Sequence, residues 1–144
     1  MVPGRVERSF EPGPRARGTR GGVYGPDGRY LYLTGVETVA GRFPPGATAA
    51  DIRYEVPALE RSFSPWRSRQ EFHSPTCIAV SADETSVAVG TEAGALQVFA
   101  AGTGHPTQQF KLPGAIRALA FSTHGRVLAA GLADGSVLLV PLKD

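Results

Sequence analysis

A chain of 144 residues, 42% hydrophobic and 19% charged, holds enough apolar material for one packed core and has the composition of a folded globular protein. Its eighteen glycines and twelve prolines interrupt it too often for long helices and suit a β protein with frequent turns. A net charge of +2 makes no case for nucleic acid by its total, and a single cysteine, Cys77, excludes an internal disulfide framework and suits a reducing compartment.

The opening MVPGRVERSF lacks the apolar core of a secretory signal, and Glu7 and Glu11 among glycines and prolines argue against a mitochondrial transit helix. The expected location is the cytoplasm, with the nucleus as the alternative. Thirteen of the fifteen basic residues are arginine, and six of these (Arg5, Arg8, Arg15, Arg17, Arg20, Arg29) fall in the first thirty positions. After a short extended segment at Val6 to Phe10, two strands are predicted at Gly21 to Gly25 and Arg29 to Thr34. They are joined by Gly25-Pro26-Asp27-Gly28, where proline presets φ and glycine tolerates the next bend of the backbone. Pro44-Pro45-Gly46 forbids a continuous strand, so Val36 to Asp51 reads as a long insertion loop, followed by a third strand at Ile52 to Val56. The connection SPWRSRQEFHSP (Ser64 to Pro75) carries Trp66, Arg67, Arg69 and Phe72, which turn chemistry explains least. They read either as an aromatic plug between structural units or as a partner-binding surface.

From Thr76 the chain states one pattern twice, forty-one positions apart. TCIAVSADETSVAVGTEAGALQVF (Thr76 to Phe99) and RALAFSTHGRVLAAGLADGSVLLV (Arg117 to Val140) each read as strand, turn, strand, turn, strand. Ala79, Ser81, Ala88, Gly90 and Gly94 recur as Ala120, Ser122, Ala129, Gly131 and Gly135. Gly94 and Gly135 stand where a tight hairpin needs positive φ, which is cheap only without a Cβ. A period of about forty with short strands is the signature of propeller blades rather than of a helical solenoid. RYLYLTG (Arg29 to Gly35) matches SVAVGT and RVLAAGL in place, with Gly35 fifty-five before Gly90. A second echo links ERSFEP (Glu7 to Pro12), ERSFSP (Glu60 to Pro65) and TQQFKLPG (Thr107 to Gly114). Phe10, Phe63 and Phe110 thereby mark the predicted outermost strands of successive blades, with boundaries at 1–59, 60–106 and 107–144.

These residues resemble the WD-repeat β-propeller family over Glu71 to Leu142 and more weakly over Thr19 to Val56. SADETSVAVGTEAGALQVF, STHGRVLAAGLADGSVLLV and GPDGRYLYLTG are similar to its strand, Pro-Asp-Gly-like turn, small-residue strand and Asp-Gly turn. The resemblance places His73 at the family's structural histidine and Asp134 at its turn aspartate. Its Trp-Asp pair is replaced by Phe99-Ala100 and Val140-Pro141, and the first blade has Glu55 there. The implied fold is all-β: about three blades of four-stranded antiparallel sheet in a single domain, 1–144. Propellers close with roughly four to eight blades, so this is an incomplete ring, completed by further blades or by another chain.

No catalytic or cofactor constellation accompanies the pattern. His73, His105 and His124 sit in different loops without metal-ligand spacing, and Cys77 four residues after His73 reads as a small buried apolar residue at the start of an inner strand. There is no Gly-x-Ser-x-Gly elbow or phosphate cradle, and the carboxylates stand singly apart from Asp83-Glu84 in a turn. Val127 to Leu142, the most apolar run, is too short for a membrane helix and contains Asp134 and Pro141. The reading is a non-enzymatic scaffold for protein–protein interaction, with no cofactor and no metal. Its partner-binding residues are Trp66, Arg67, Arg69 and Phe72, and the 36–51 segment comes second. The alternative is an RNA- or ribonucleoprotein-associated propeller, using the arginine-rich start and Arg61, Arg67 and Arg69 beside Phe63 and Trp66.

Overall fold

The computed structural model describes residues 21–34, 39–46, 50–55 and 75–143. Among them are eleven strands and no helix, in three antiparallel sheets. Sheet 1 contains β1 (Gly21–Tyr24), β2 (Leu31–Thr34), β3 (Val39–Phe43) and β4 (Ile52–Glu55). Sheet 2 contains β5 (Pro75–Val80), β6 (Ser86–Thr91), β7 (Ala95–Ala100) and β8 (Pro106–Lys111). Sheet 3 contains β9 (Ile116–Phe121), β10 (Val127–Leu132) and β11 (Val137–Pro141). Every strand pairs with its neighbour in sequence within its sheet, and the first strands β1, β5 and β9 lie next to one another.

The 36–51 segment is not the loop expected from its prolines. It contains β3, and Pro44-Pro45-Gly46 forms the turn just past it, with Gly46 at φ +75°. Proline removes a ladder donor only where a ladder is needed, and here it stands beyond the strand end. Ile52–Glu55 is therefore the fourth strand of sheet 1 rather than the third. The outermost place assigned to Phe63 is filled by β4, and Glu60 to Pro65 lies outside the described residues. Phe110 does lie in an outer strand, β8. That strand closes sheet 2, so the boundary at 107 divides sequence repeats and not sheets. Sheet 3 has three strands among the described residues, one fewer than the expected blade.

The first hairpins of the three sheets use one turn. Gly28 N–H donates to Gly25 O, Glu84 N–H to Ser81 O and Gly125 N–H to Ser122 O, at 2.9 Å in each case. The donor residue has positive φ every time: +74° at Gly28, +58° at Glu84 and +71° at Gly125. These turns align sheet 1 with sheet 2 at a shift of fifty-six, one more than the glycine match suggested. Side chains alternate along a strand, so a one-residue slip exchanges its two faces. The corrected register sets Tyr32 and Thr34 opposite Ala88 and Gly90, not opposite Val87 and Val89.

Each sheet thus has an upstream face, turned toward the preceding sheet, and a downstream face. Tyr32, Ala40 and Tyr54 on the downstream face of sheet 1 pack on Ile78, Val87, Val89 and Phe99 of sheet 2. Cys77, Ala88, Leu96 and Val98 on the other face of sheet 2 pack on Ile116, Leu128, Ala130, Leu132 and Val140 of sheet 3. Each large side chain so buried contributes about 1.5 to 3 kcal/mol by removal of apolar surface from water, which makes these two interlayers the principal source of stability.

Candidate functional site

The turns β1–β2, β3–β4, β5–β6 and β7–β8 gather at one end of sheets 1 and 2 and form a polar rim. They are tied across the sheet boundary: Tyr32 Oη donates to Glu84 Oε1 at 3.2 Å, Tyr54 Oη donates to the Ala101 carbonyl at 2.7 Å, and a Cβ on Gly104 would come within 2.8 Å of the Arg53 carbonyl. Glu84 accepts a left-handed backbone in the place where the other two turns have glycine, and its carboxylate is the one that meets Tyr32. Gly25 leaves the room for it, since a Cβ there would lie 1.8 Å from Glu84 Oε1.

Arg42 anchors the sheet 1 part of this rim. Its Nη2 and Nε donate to the two oxygens of Asp51 at 2.8 and 3.1 Å, a bidentate fork across the β3–β4 turn. Its guanidinium carbon lies 4.1 Å from the centre of the Tyr30 ring. The hydrogen bonds it donates to Asp51 strengthen its protonation further, and burial only partly opposes this. Beneath it the Tyr32 and Tyr54 rings stack with centroids 6.3 Å apart, and Tyr54 meets Phe99 at 5.6 Å.

Burial, reinforced by the Glu84 carboxylate, pushes the Tyr32 phenol up to about 12, and burial likewise raises Tyr54. Both remain neutral hydrogen-bond donors at ordinary pH, and Arg42 remains a cation. The arrangement therefore places a cation fixed by its carboxylate partner, an aromatic ring and the Glu84 carboxylate on one rim, above two neutral phenols.

Asp83 Oδ1 accepts from Ser81 Oγ, Thr85 Oγ1 and Thr85 N–H, and Asp134 Oδ1 from Ser136 Oγ and N–H. These bonds hold both carboxyls below their ordinary value. Asp134 thus caps its own turn. The thiol of Cys77 is buried and raised by desolvation, the opposite of what an activated nucleophile needs. His105 and His124 are exposed in separate turns, and no group of three potential metal ligands occurs among the described residues.

Trp66, Arg67, Arg69 and Phe72 lie outside the described residues, as do His73, Arg61 and five of the six early arginines. Sequence reasoning reached Arg42 and Asp51 only as part of the 36–51 segment it ranked second, read Glu84 only as a turn carboxylate, and missed Tyr30. The available signal was the alternation VAGRF ahead of a proline turn, with Arg42 and Asp51 at opposite ends of it.

No protein-family model matches the chain, and no curated protein matches it in sequence. Solved structures do match its fold. The RRP9 WD40-repeat crystal structure and the structure of U3-55K each superpose with a TM-score of 0.69 at 17% identity, covering 88% of this chain. The chain spans 37% and 38% of their respective lengths, well under half of each. The fold is that of a WD-repeat propeller, present here as three sheets that do not close on themselves.

Proposed function

We propose that the chain is a non-enzymatic platform for protein partners, presenting the rim around Arg42, Tyr30 and Asp51 together with the connection that carries Trp66, Arg67, Arg69 and Phe72. The observation that carries this reading is the cross-sheet bonding of the rim, Tyr32 to Glu84 and Tyr54 to Ala101. Loops fixed by a rigid scaffold lose little entropy on binding, and aromatic and arginine side chains supply most interface energy. The same composition favours a cytoplasmic setting, where its single thiol stays reduced.

The test is quantitative co-purification with the wild-type chain, with Trp66→Ala and with Arg67→Ala/Arg69→Ala, then binding measurements on the recovered proteins. Trp66→Ala is expected to weaken at least one specific protein partner by about 30-fold with the melting temperature unchanged, the size of an interface hot spot. Unchanged folding and unchanged affinity for every partner would sink the assignment. A single-stranded RNA oligomer bound in a strongly salt-dependent way, and lost in the double arginine variant, would replace it with the ribonucleoprotein reading.

A further inference from the structure

Three large hydrophobic side chains are exposed among the described residues: Tyr24 at 64%, Val137 at 65% and Leu139 at 70%. They occupy the two ends of the three-sheet stack. Val137 and Leu139 lie on the downstream face of sheet 3, beside Ala118, Ala120, Ala129 and Gly131, with which the strand pairing aligns them. Tyr24 lies on the upstream face of sheet 1 with the half-buried Leu31 and Leu33 and the buried Phe43, opposite the face that buries Tyr32.

The interior of the molecule shows what such a face receives. Shifted back by forty-one residues, the downstream positions of sheet 3 become Cys77, Ala79, Ala88, Gly90, Leu96 and Val98 of sheet 2, all of them buried. There the small residues let the next sheet come close: a Cβ on Gly90 would stand 2.7 Å from Ile116 Cγ2. At Gly131 the nearest such contact is Ala118 Cβ of its own sheet, at 3.5 Å. The two faces therefore have the same apolar make-up, and among the described residues no further sheet covers Val137 and Leu139 of sheet 3.

The layer that covers sheet 2 presents its upstream face, and sheet 1 has an upstream face as well. At the corrected shift of fifty-six, Tyr24, Leu31 and Leu33 match Val80, Val87 and Val89 of sheet 2, the positions that pack on a preceding downstream face. We infer that the Tyr24, Leu31 and Leu33 face of a second copy of this chain seats on the Val137 and Leu139 face of the first, and reciprocally, so that two chains close one ring. The contact is heterologous, so it must either close or propagate. With three sheets among the described residues, two copies supply six, inside the range of about four to eight that closed propellers use, whereas three copies would supply nine. Closure also covers Val137 and Leu139 at one end and Tyr24 at the other, side chains that an open stack would offer for aggregation.

The experiment is light scattering coupled to size exclusion on the full chain at about 1 to 100 μM, the range that reads micromolar association. The expected mass is twice that of the chain. A single-chain mass throughout that range overturns the proposal and assigns the face to further sheets or to a different protein. An open series of larger masses overturns ring closure.

Leu139→Asp disables one end and Tyr24→Asp the other. Each variant alone is expected to run as a single chain, with circular dichroism and melting as in the unassociated wild type. Mixed together they regain a two-chain mass through the one interface that remains intact. A Tyr24→Asp chain that stays dimeric while Leu139→Asp does not would overturn head-to-tail seating in favour of sheet 3 against sheet 3. Leu139→Ser repeats the test with a neutral side chain should the aspartate impair folding.

Discussion

Sheets 2 and 3 carry nearly the same sequence pattern, yet their downstream faces have opposite fates. Leu96 and Val98 are 0% and 1% exposed, while Val137 and Leu139, forty-one residues later, are 65% and 70% exposed. The strands, turns and small-residue positions are equivalent, down to Gly94 and Gly135 at φ +87° and +90°. What differs is a next layer, which the described residues supply to sheet 2 and not to sheet 3. A repeat unit does not bury both of its apolar faces alone, so burial here belongs to the stack and not to the strand.

The comparison breaks most visibly at its largest side chains. Leu96→Ala is expected to cost about 2 to 5 kcal/mol of unfolding free energy, since it empties a filled interlayer. Val137→Ala in the unassociated chain stays within about 0.5 kcal/mol, because the methyls it removes already face water. Denaturant titration of both variants reads the difference directly, and comparable losses at the two sites would show that sheet 3 is already covered.

A smaller contrast lies at the matched glycines. Gly90→Ala pushes a methyl against Ile116 and the Cys77 thiol and is expected to cost about 1 to 3 kcal/mol. Gly131→Ala meets only ordinary van der Waals contact in the single chain and leaves its melting temperature close to that of wild type. If both substitutions were neutral, the packing of β9 on sheet 2 would be looser than the Gly90 to Ile116 approach requires.

The smallest effect tests the boundary between sheets 1 and 2. Tyr32→Phe removes the bond to Glu84 and is expected to cost about 1 kcal/mol. The Tyr32 phenol is raised in the folded chain from 10.0 to about 12, so folding favours its protonated form. Its contribution is whole below pH 10 and fades as pH rises toward 12. Stability measured across that interval should fall in the wild type and fall less steeply in Tyr32→Phe, with the remaining slope due to Tyr54, which is raised in the same sense. Equal slopes would mean that the Tyr32 phenol is not held at the interlayer.

Much of the architecture was legible in the residues. The forty-one-residue echo located β5 to β7 and β9 to β11, and Pro26-Asp27-Gly28 located the first hairpin, because alternation and turn chemistry are local properties of the chain. β3 was obscured by the prolines just after it, and a single glycine match put sheet 1 one residue out of register. The candidate site was less legible still. Arg42 comes from β3 and Asp51, Tyr30 and Glu84 from three different connections in two sheets, and no local pattern marks Arg42 for Tyr30 or Glu84 for Tyr32. Tyr32 and Tyr54 fall within predicted strands, and only packing against sheet 2 makes them donors to Glu84 and to Ala101.

By itself, then, the sequence determined that this is an all-β repeat of short antiparallel strands, since periodicity, glycine placement and turn residues act within a few positions of one another. Tertiary structure alone decided which face of each strand is covered, how sheet 1 is registered on sheet 2, and that among the described residues Val137, Leu139 and Tyr24 are left exposed at the ends of the stack. The reason is that burial and register are set by the neighbouring sheet: the same alternating strand can present either side to it, and only the layer that packs there selects one.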